Sequence, residues 1–143
     1  MTIRPRMVRS LRDARTRLRD IAAAQHSIAA EESAEAARQL ADEEETLDDF
    51  LDEAPTLLAA ATTIEEIGRV AESTGEFMLA IADAEEYCVS TLAASEVSRQ
   101  ALRVRAQQLR TTERLAERLD RERQVAEGRI EQQRTDEHTA RRR

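Results

Sequence analysis

The chain has 143 residues, with 22 basic side chains against 29 acidic ones and a formal net charge of −7. It holds 2 Phe, 1 Tyr, no Trp, 3 Gly and 2 Pro. So few aromatics leave little to fill a large globular core, and so little turn chemistry argues against a sheet of many short strands. An all-β fold, a doubly wound α/β fold and a conventional enzyme pocket are therefore disfavoured. The abundance of Ala, Glu, Arg, Leu and Gln is the composition of long helices.

In chain order, the opening Met1-Thr2-Ile3-Arg4-Pro5-Arg6 carries basic residues without the apolar stretch of a signal peptide. Met7, Leu11, Ala14, Leu18 and Ile21 then alternate steps of four and three, the spacing of a coiled-coil seam. Ile21, Gln25, Ala29 and Ser33 follow at successive four-residue steps, which predicts a stutter. The pattern resumes at Ala36, Leu40, Leu47, Phe50 and Ala54. Pro55 lacks an amide proton and disfavours α geometry at Ala54, so the first helix is predicted over about 7–54. A small apolar connector at about 55–62 follows.

Thr63-Ile64-Glu65-Glu66 places a Glu three residues after a Thr, a capping-box signature. The second helix is predicted over about 63–140. Its seam runs through Ile64, Ile67, Ala71, Thr74, Met78, Ile81, Glu85, Cys88, Leu92 and Ser95. It continues through Leu102, Ala106, Leu109, Ala116, Leu119, Ala126 and Ile130. Gly68 and Gly75 weaken its opening turns by about 1 kcal/mol each relative to Ala, which allows a start as late as Gly75. The predicted fold is all-α: two long helices in an antiparallel coiled-coil hairpin, the second longer and overhanging the first. At 1.5 Å per residue the helices measure roughly 70 Å and roughly 100–115 Å. Many seam positions are Ala, Ser, Thr, Gln or Glu, so the interface is thin.

Charge divides the chain into three blocks. Residues 1–20 carry +5, residues 21–98 carry −17 and residues 99–143 carry +5. A hairpin brings the two basic blocks to one end and leaves the acidic block around the bend. No apolar run reaches the ~20 residues that cross a bilayer, and the lone Cys88 fits a reducing, cytoplasmic setting. His26 and His138 read as surface histidines, and Glu43–Glu45 with Asp48 and Asp49 as a solvated helix face. With no phosphate loop and no His/Cys cluster at metal spacing, no catalytic, cofactor or metal role is expected. The net negative charge and the lack of aromatic stacking platforms weigh against nucleic acid as a partner, and the basic stretches lack the broad apolar face of a membrane-inserting helix. Near the bend, Leu47, Phe50 and Leu51 can meet Phe77, Met78 and Ile81. They either lock the hairpin or face outward as a docking patch.

The closing stretch Glu127-Gly128-Arg129-Ile130-Glu131-Gln132-Gln133-Arg134-Thr135-Asp136-Glu137, followed by Arg141-Arg142-Arg143, resembles the end of the FliJ/YscO family. The opening around Leu11-Arg12-Asp13-Ala14-Arg15 and Leu18 is similar to that family's start. The resemblance implies a non-enzymatic stalk and escort protein of a type III export apparatus, flagellar or virulence-associated. Its partners would be a ring-shaped export ATPase, the cytoplasmic part of the export gate and export chaperones, and its place the cytoplasmic side of the inner membrane. On that reading Arg12, Arg15, Arg19, Arg103, Arg105, Arg110, Arg123, Arg129, Asp136 and Glu137 are candidate contacts with the ring. Leu47, Phe50, Leu51, Phe77, Met78 and Ile81 are candidate contacts with the gate. Outside the resemblance, a coiled-coil scaffold or dimerisation protein of an unrelated assembly fits the same pattern.

Overall fold

The structure, a computed structural model, describes residues 5–141. Two helices account for nearly all of it: α1 over Pro5–Ala60 and α2 over Ile64–Ala140. They pack against each other as a helical hairpin, with no strand among the described residues. Contacts group the chain into two compact units. One joins Met1–Ala23 to Ala101–Arg143, and the other is Ala24–Gln100. Both basic blocks, apart from Arg99, fall in the first unit and almost the whole acidic block in the second.

The turn is built by the capping box. Thr63 Oγ1 accepts the amide of Glu66 at 3.3 Å, and Glu66 Oε2 accepts the amides of Thr62 at 2.6 Å and Thr63 at 3.2 Å. These bonds satisfy donors that the first turn of α2 cannot pair internally. They hold the Glu66 carboxyl below the ordinary glutamate range, the Thr62 amide first and the Thr63 amide second. With the cap closed, Gly68 and Gly75 both lie inside α2, which starts at Ile64.

α1 does not stop at Ala54 but continues through Pro55 to Ala60. Proline costs an interior helix the bond to the carbonyl four residues back, here that of Leu51. Pro55 and Leu51 are both exposed, so that carbonyl lies on the watered side of the helix. The connector is thereby reduced to residues 61–63, closed by a bond from the Ala61 amide to the Leu58 carbonyl.

The inward faces follow four–three spacing in both helices, apart from one seven-residue step from Val8 to Arg15 in α1, where Leu11 and Arg12 are exposed. In α1 the covered positions are Val8, Arg15, Arg19, Ala22, His26, Ala29, Ser33, Ala36, Leu40, Glu43, Leu47, Phe50 and Ala54. No stutter interrupts them. The opening seam lies one residue, about 100°, from the expected one: Met7, Leu11, Leu18 and Ile21 are exposed. The register that unites Ala36, Leu40, Leu47 and Phe50 with Ala22 and Ala29 also turns Arg15 and His26 inward, because both find hydrogen-bond partners on α2. Bulky residues on a face rotated away from that register cannot join it without unwinding the helix.

In α2 half the expected seam is occupied as read: Thr74, Ile81, Cys88, Ser95, Leu102, Leu109, Ala116 and Leu119 are covered. The other half shifts by one residue. Val70, Phe77, Ala84, Thr91 and Arg105 are the inward residues next to exposed Ala71, Met78, Glu85 and Leu92 and half-buried Ala106. Ile64 and Ile67 are exposed, and from Arg121 onward every described residue of α2 is exposed, Ala126 and Ile130 included. The buried apolar residues, with Leu109 the one large side chain, are mostly small: Val8, Ala22, Ala36, Ala54 and Ala84. Such side chains yield little per residue at ~25 cal/mol per Å².

Candidate interaction surfaces

In the unit formed by the two chain ends, arginines divide into three kinds. Arg15 and Arg105 serve the seam. Arg15 Nη1 donates to the Gln108 carbonyl at 2.8 Å and to Thr112 Oγ1 at 2.6 Å, while Arg105 Nη1 donates to Gln108 Oε1 at 3.3 Å. Thr112 is 1% exposed, so the Arg15 guanidinium reaches across the interface to a fully covered hydroxyl. A second kind is occupied by neighbouring carboxylates: Arg12 with Asp13 at 3.9 Å, half-buried Arg19 with Asp20 at 2.6 Å, and Arg123 with Glu127 at 2.8 Å. These exposed pairs stabilise little and leave their charges available to a partner.

The third kind is free. Arg103 and Arg110, with Arg114, line one shallow hollow on α2 together with Ala106, Gln107 and Thr111, and none of the three arginines makes an ion pair among the described residues. Arg114 was not singled out from the sequence, although the steps 103, 107, 110 and 114 carry the same four–three signal. A second hollow at the start of α1 is lined by Pro5, Val8, Arg9, Arg12, Ala116, Leu119, Asp120 and Arg123. Arg129, Asp136 and Glu137 lie on the exposed end of α2. Arg142 and Arg143 lie outside the described residues.

In the unit around the bend, Phe50 and Phe77 stack with ring centroids 5.1 Å apart and planes tilted by 46°. Leu47 and Ile81 are half-buried beside them in the seam, whereas Leu51 and Met78 are exposed. Four of the six apolar candidates thus close the hairpin and two face solvent. His26 is not a surface residue. It lies half-buried in the seam with Nδ1 3.0 Å from Ser98 Oγ, and Ser98 gives its own proton to the Ser95 carbonyl at 2.8 Å. Glu43, expected on the solvated face, is half-buried at a seam position. Cys88 is half-buried and in no disulfide among the described residues. Among the described residues no group of three or more His, Cys, Asp and Glu is placed to hold a metal, and no helix is long and apolar enough to cross a membrane.

A comparison with protein-family models matches that of the flagellar FliJ protein over residues 7–143. The chain belongs to the FliJ family. It is accordingly a component of the flagellar export apparatus. Comparison with curated proteins and with solved structures gave no match. The FliJ match spans both units and takes in every candidate contact named above, from Arg12 to Glu137. The segment that carries the sequence resemblance, Glu127 to Glu137, lies on the exposed end of α2.

Proposed function

We propose that this FliJ-family chain is the central stalk of the export ATPase and an escort for export cargo, with the unit formed by the chain ends entering the ATPase ring. The observation that carries this reading is the set of exposed, unpaired arginines Arg103, Arg110 and Arg114 on one face of α2, close to the exposed end of the same helix. Charges that fold no part of the chain are available to an acidic pore. Arg12, Arg123 and Arg129 extend that surface, with Asp136 and Glu137 farther along it, while Arg15, Arg19 and Arg105 act through the seam that holds it in place. Exposed Leu51 and Met78, over the Phe50–Phe77 stack with Leu47 and Ile81, form the contact with the cytoplasmic part of the export gate. Export chaperones dock on the same acidic unit, and the protein works at the cytoplasmic side of the inner membrane. It performs no chemistry of its own. The stalk acts by binding and promotes assembly or turnover of the ring.

The test is ATP hydrolysis by the cognate export ATPase with and without the protein, alongside cosedimentation. Stimulated hydrolysis with roughly one chain per ring is expected. The double reversal Arg103→Glu and Arg110→Glu should weaken cosedimentation at least tenfold, about 1.4 kcal/mol, with helicity unchanged by circular dichroism. Unchanged binding by the reversed protein removes these arginines from the ring contact, and absence of both binding and stimulation ends the stalk reading.

A further inference from the structure

Two stripes have the spacing of a coiled-coil seam and yet face solvent. On α1, Met7, Leu11, Leu18 and Ile21 repeat at steps of four and seven or three, one residue away from the face that packs on α2. On α2, Ile64, Ala71, Met78 and Leu92 lie on one heptad row, interrupted by exposed Glu85, again one residue from the packed face. Met7 is 64% exposed, and Met78 and Leu92 are each 61% exposed. Apolar residues in a four–three or heptad row are what a second helix covers. The surroundings of the two stripes are opposite in charge. Residues 5–23 hold six arginines against two aspartates, and residues 64–96 hold eight carboxylates against one arginine.

We propose that the two stripes are partners in self-association: the α1 stripe of one copy packs on the α2 stripe of a second copy. Like stripes repel, since each would set its own charge against itself, whereas unlike stripes attract and bury their apolar residues together. The contact joins two unlike faces. Made reciprocally it closes a pair of chains, and made once per chain it propagates. Because the α1 stripe lies among the arginines of the chain-end unit, a chain paired in this way has part of its basic surface covered by another copy.

The experiment is sedimentation velocity of the full chain over a concentration series, at about 50 mM and about 500 mM salt. The screening length falls roughly threefold between them. Association at low salt that weakens at least tenfold at high salt is expected. Ile21→Glu and Met78→Glu each alter an exposed side chain and should each weaken association at least tenfold, with helicity by circular dichroism confirming the fold. Mixed in equal amounts, the two variants should associate more tightly than either alone, because Met78→Glu keeps an intact α1 stripe and Ile21→Glu an intact α2 stripe. A chain that stays monomeric throughout overturns the proposal. So does association that ignores either substitution, or that one variant abolishes while mixing restores nothing, the signature of a contact of one face with itself. Ring binding by Arg103 and Arg110 is read separately, by cosedimentation with the export ATPase, so the failure of either proposal is distinguishable.

Discussion

Gly68 and Gly75 sit in the opening turns of α2, where a Cβ built on either would meet no heavy atom within 4 Å, and no described residue has a positive φ. Neither glycine is therefore required by a turn or by close packing in the chain. Glycine costs an interior helix 0.8–1.0 kcal/mol relative to Ala, so Gly68→Ala and Gly75→Ala should each stabilise by about that amount. The two lie seven residues apart and share no partner, so the gains should add to about 2 kcal/mol. For a protein of roughly this size each kcal/mol raises Tm by about 2–4 °C, which gives roughly 4–8 °C for the double variant. The assay is thermal unfolding followed by circular dichroism. Gly128→Ala serves as the contrast: it lies in the exposed end of α2, so it should raise helix content at low temperature and leave the main transition where it is. An unmoved transition in the Gly68/Gly75 double variant would refute the reasoning. It would mean that the cooperative part of α2 begins beyond Gly75 and that the capping box closes a turn that melts separately.

Phe77→Ala should destabilise by about 2 kcal/mol, less than the 3–5 of a fully buried Phe because the ring is half-covered, but including the loss of its contact with Phe50. Denaturant unfolding measures it, and Phe77→Leu should recover most of the loss. Thr112→Val leaves the Arg15 guanidinium with one acceptor fewer and should cost about 1–3 kcal/mol. Adding Arg15→Met should return part of that cost, which a double-mutant cycle reads as coupling. The Glu66 carboxyl is held below its ordinary value in the folded chain, so the cap's contribution is full above the ordinary glutamate pKa and is lost as pH falls through the depressed one. Thermal melts of the native chain and of Glu66→Gln should therefore differ most near neutral pH and converge in acid. A constant difference across the range would separate the cap from the carboxylate's charge.

Much of this fold is legible in the residues because the signals are local. Thr63 and Glu66 need only each other and two amides to start α2, and Leu40, Leu47, Phe50 and Ala54 are both apolar and inward. The phase of the α1 opening is not legible in the same way. Hydrophobic periodicity weights bulk, so Met7, Leu11, Leu18 and Ile21 outrank Val8, Arg15, Arg19 and Ala22, although the latter face α2. What turns Arg15 and His26 inward is a hydroxyl on the other helix, Thr112 and Ser98 respectively, 97 and 72 residues away along the chain. No window along one helix contains that information. Pro55 shows the converse error, a strong local breaker overruled because the carbonyl it deprives lies on the exposed side of α1. The candidate arginines were visible as a charge block, but their division into seam, paired and free groups depends on which face each occupies.

The exposed end of α2 also bears on how that segment responds to its surroundings. Beginning a helix is the costly step, with a nucleation factor of about 10⁻³, whereas lengthening one is nearly neutral per residue. Residues 121–141 extend from turns already fixed by Leu109, Thr112, Ala116 and Leu119, so they never face the nucleation barrier. Pairs such as Arg118–Glu122 and Arg123–Glu127 add only a few tenths of a kcal/mol each to their growth. Such a segment can shorten or regrow by single turns at little free-energy cost. On the proposed stalk reading, the depth of the receiving pore would set its helical length, with the packed seam as the template from which it is rewound.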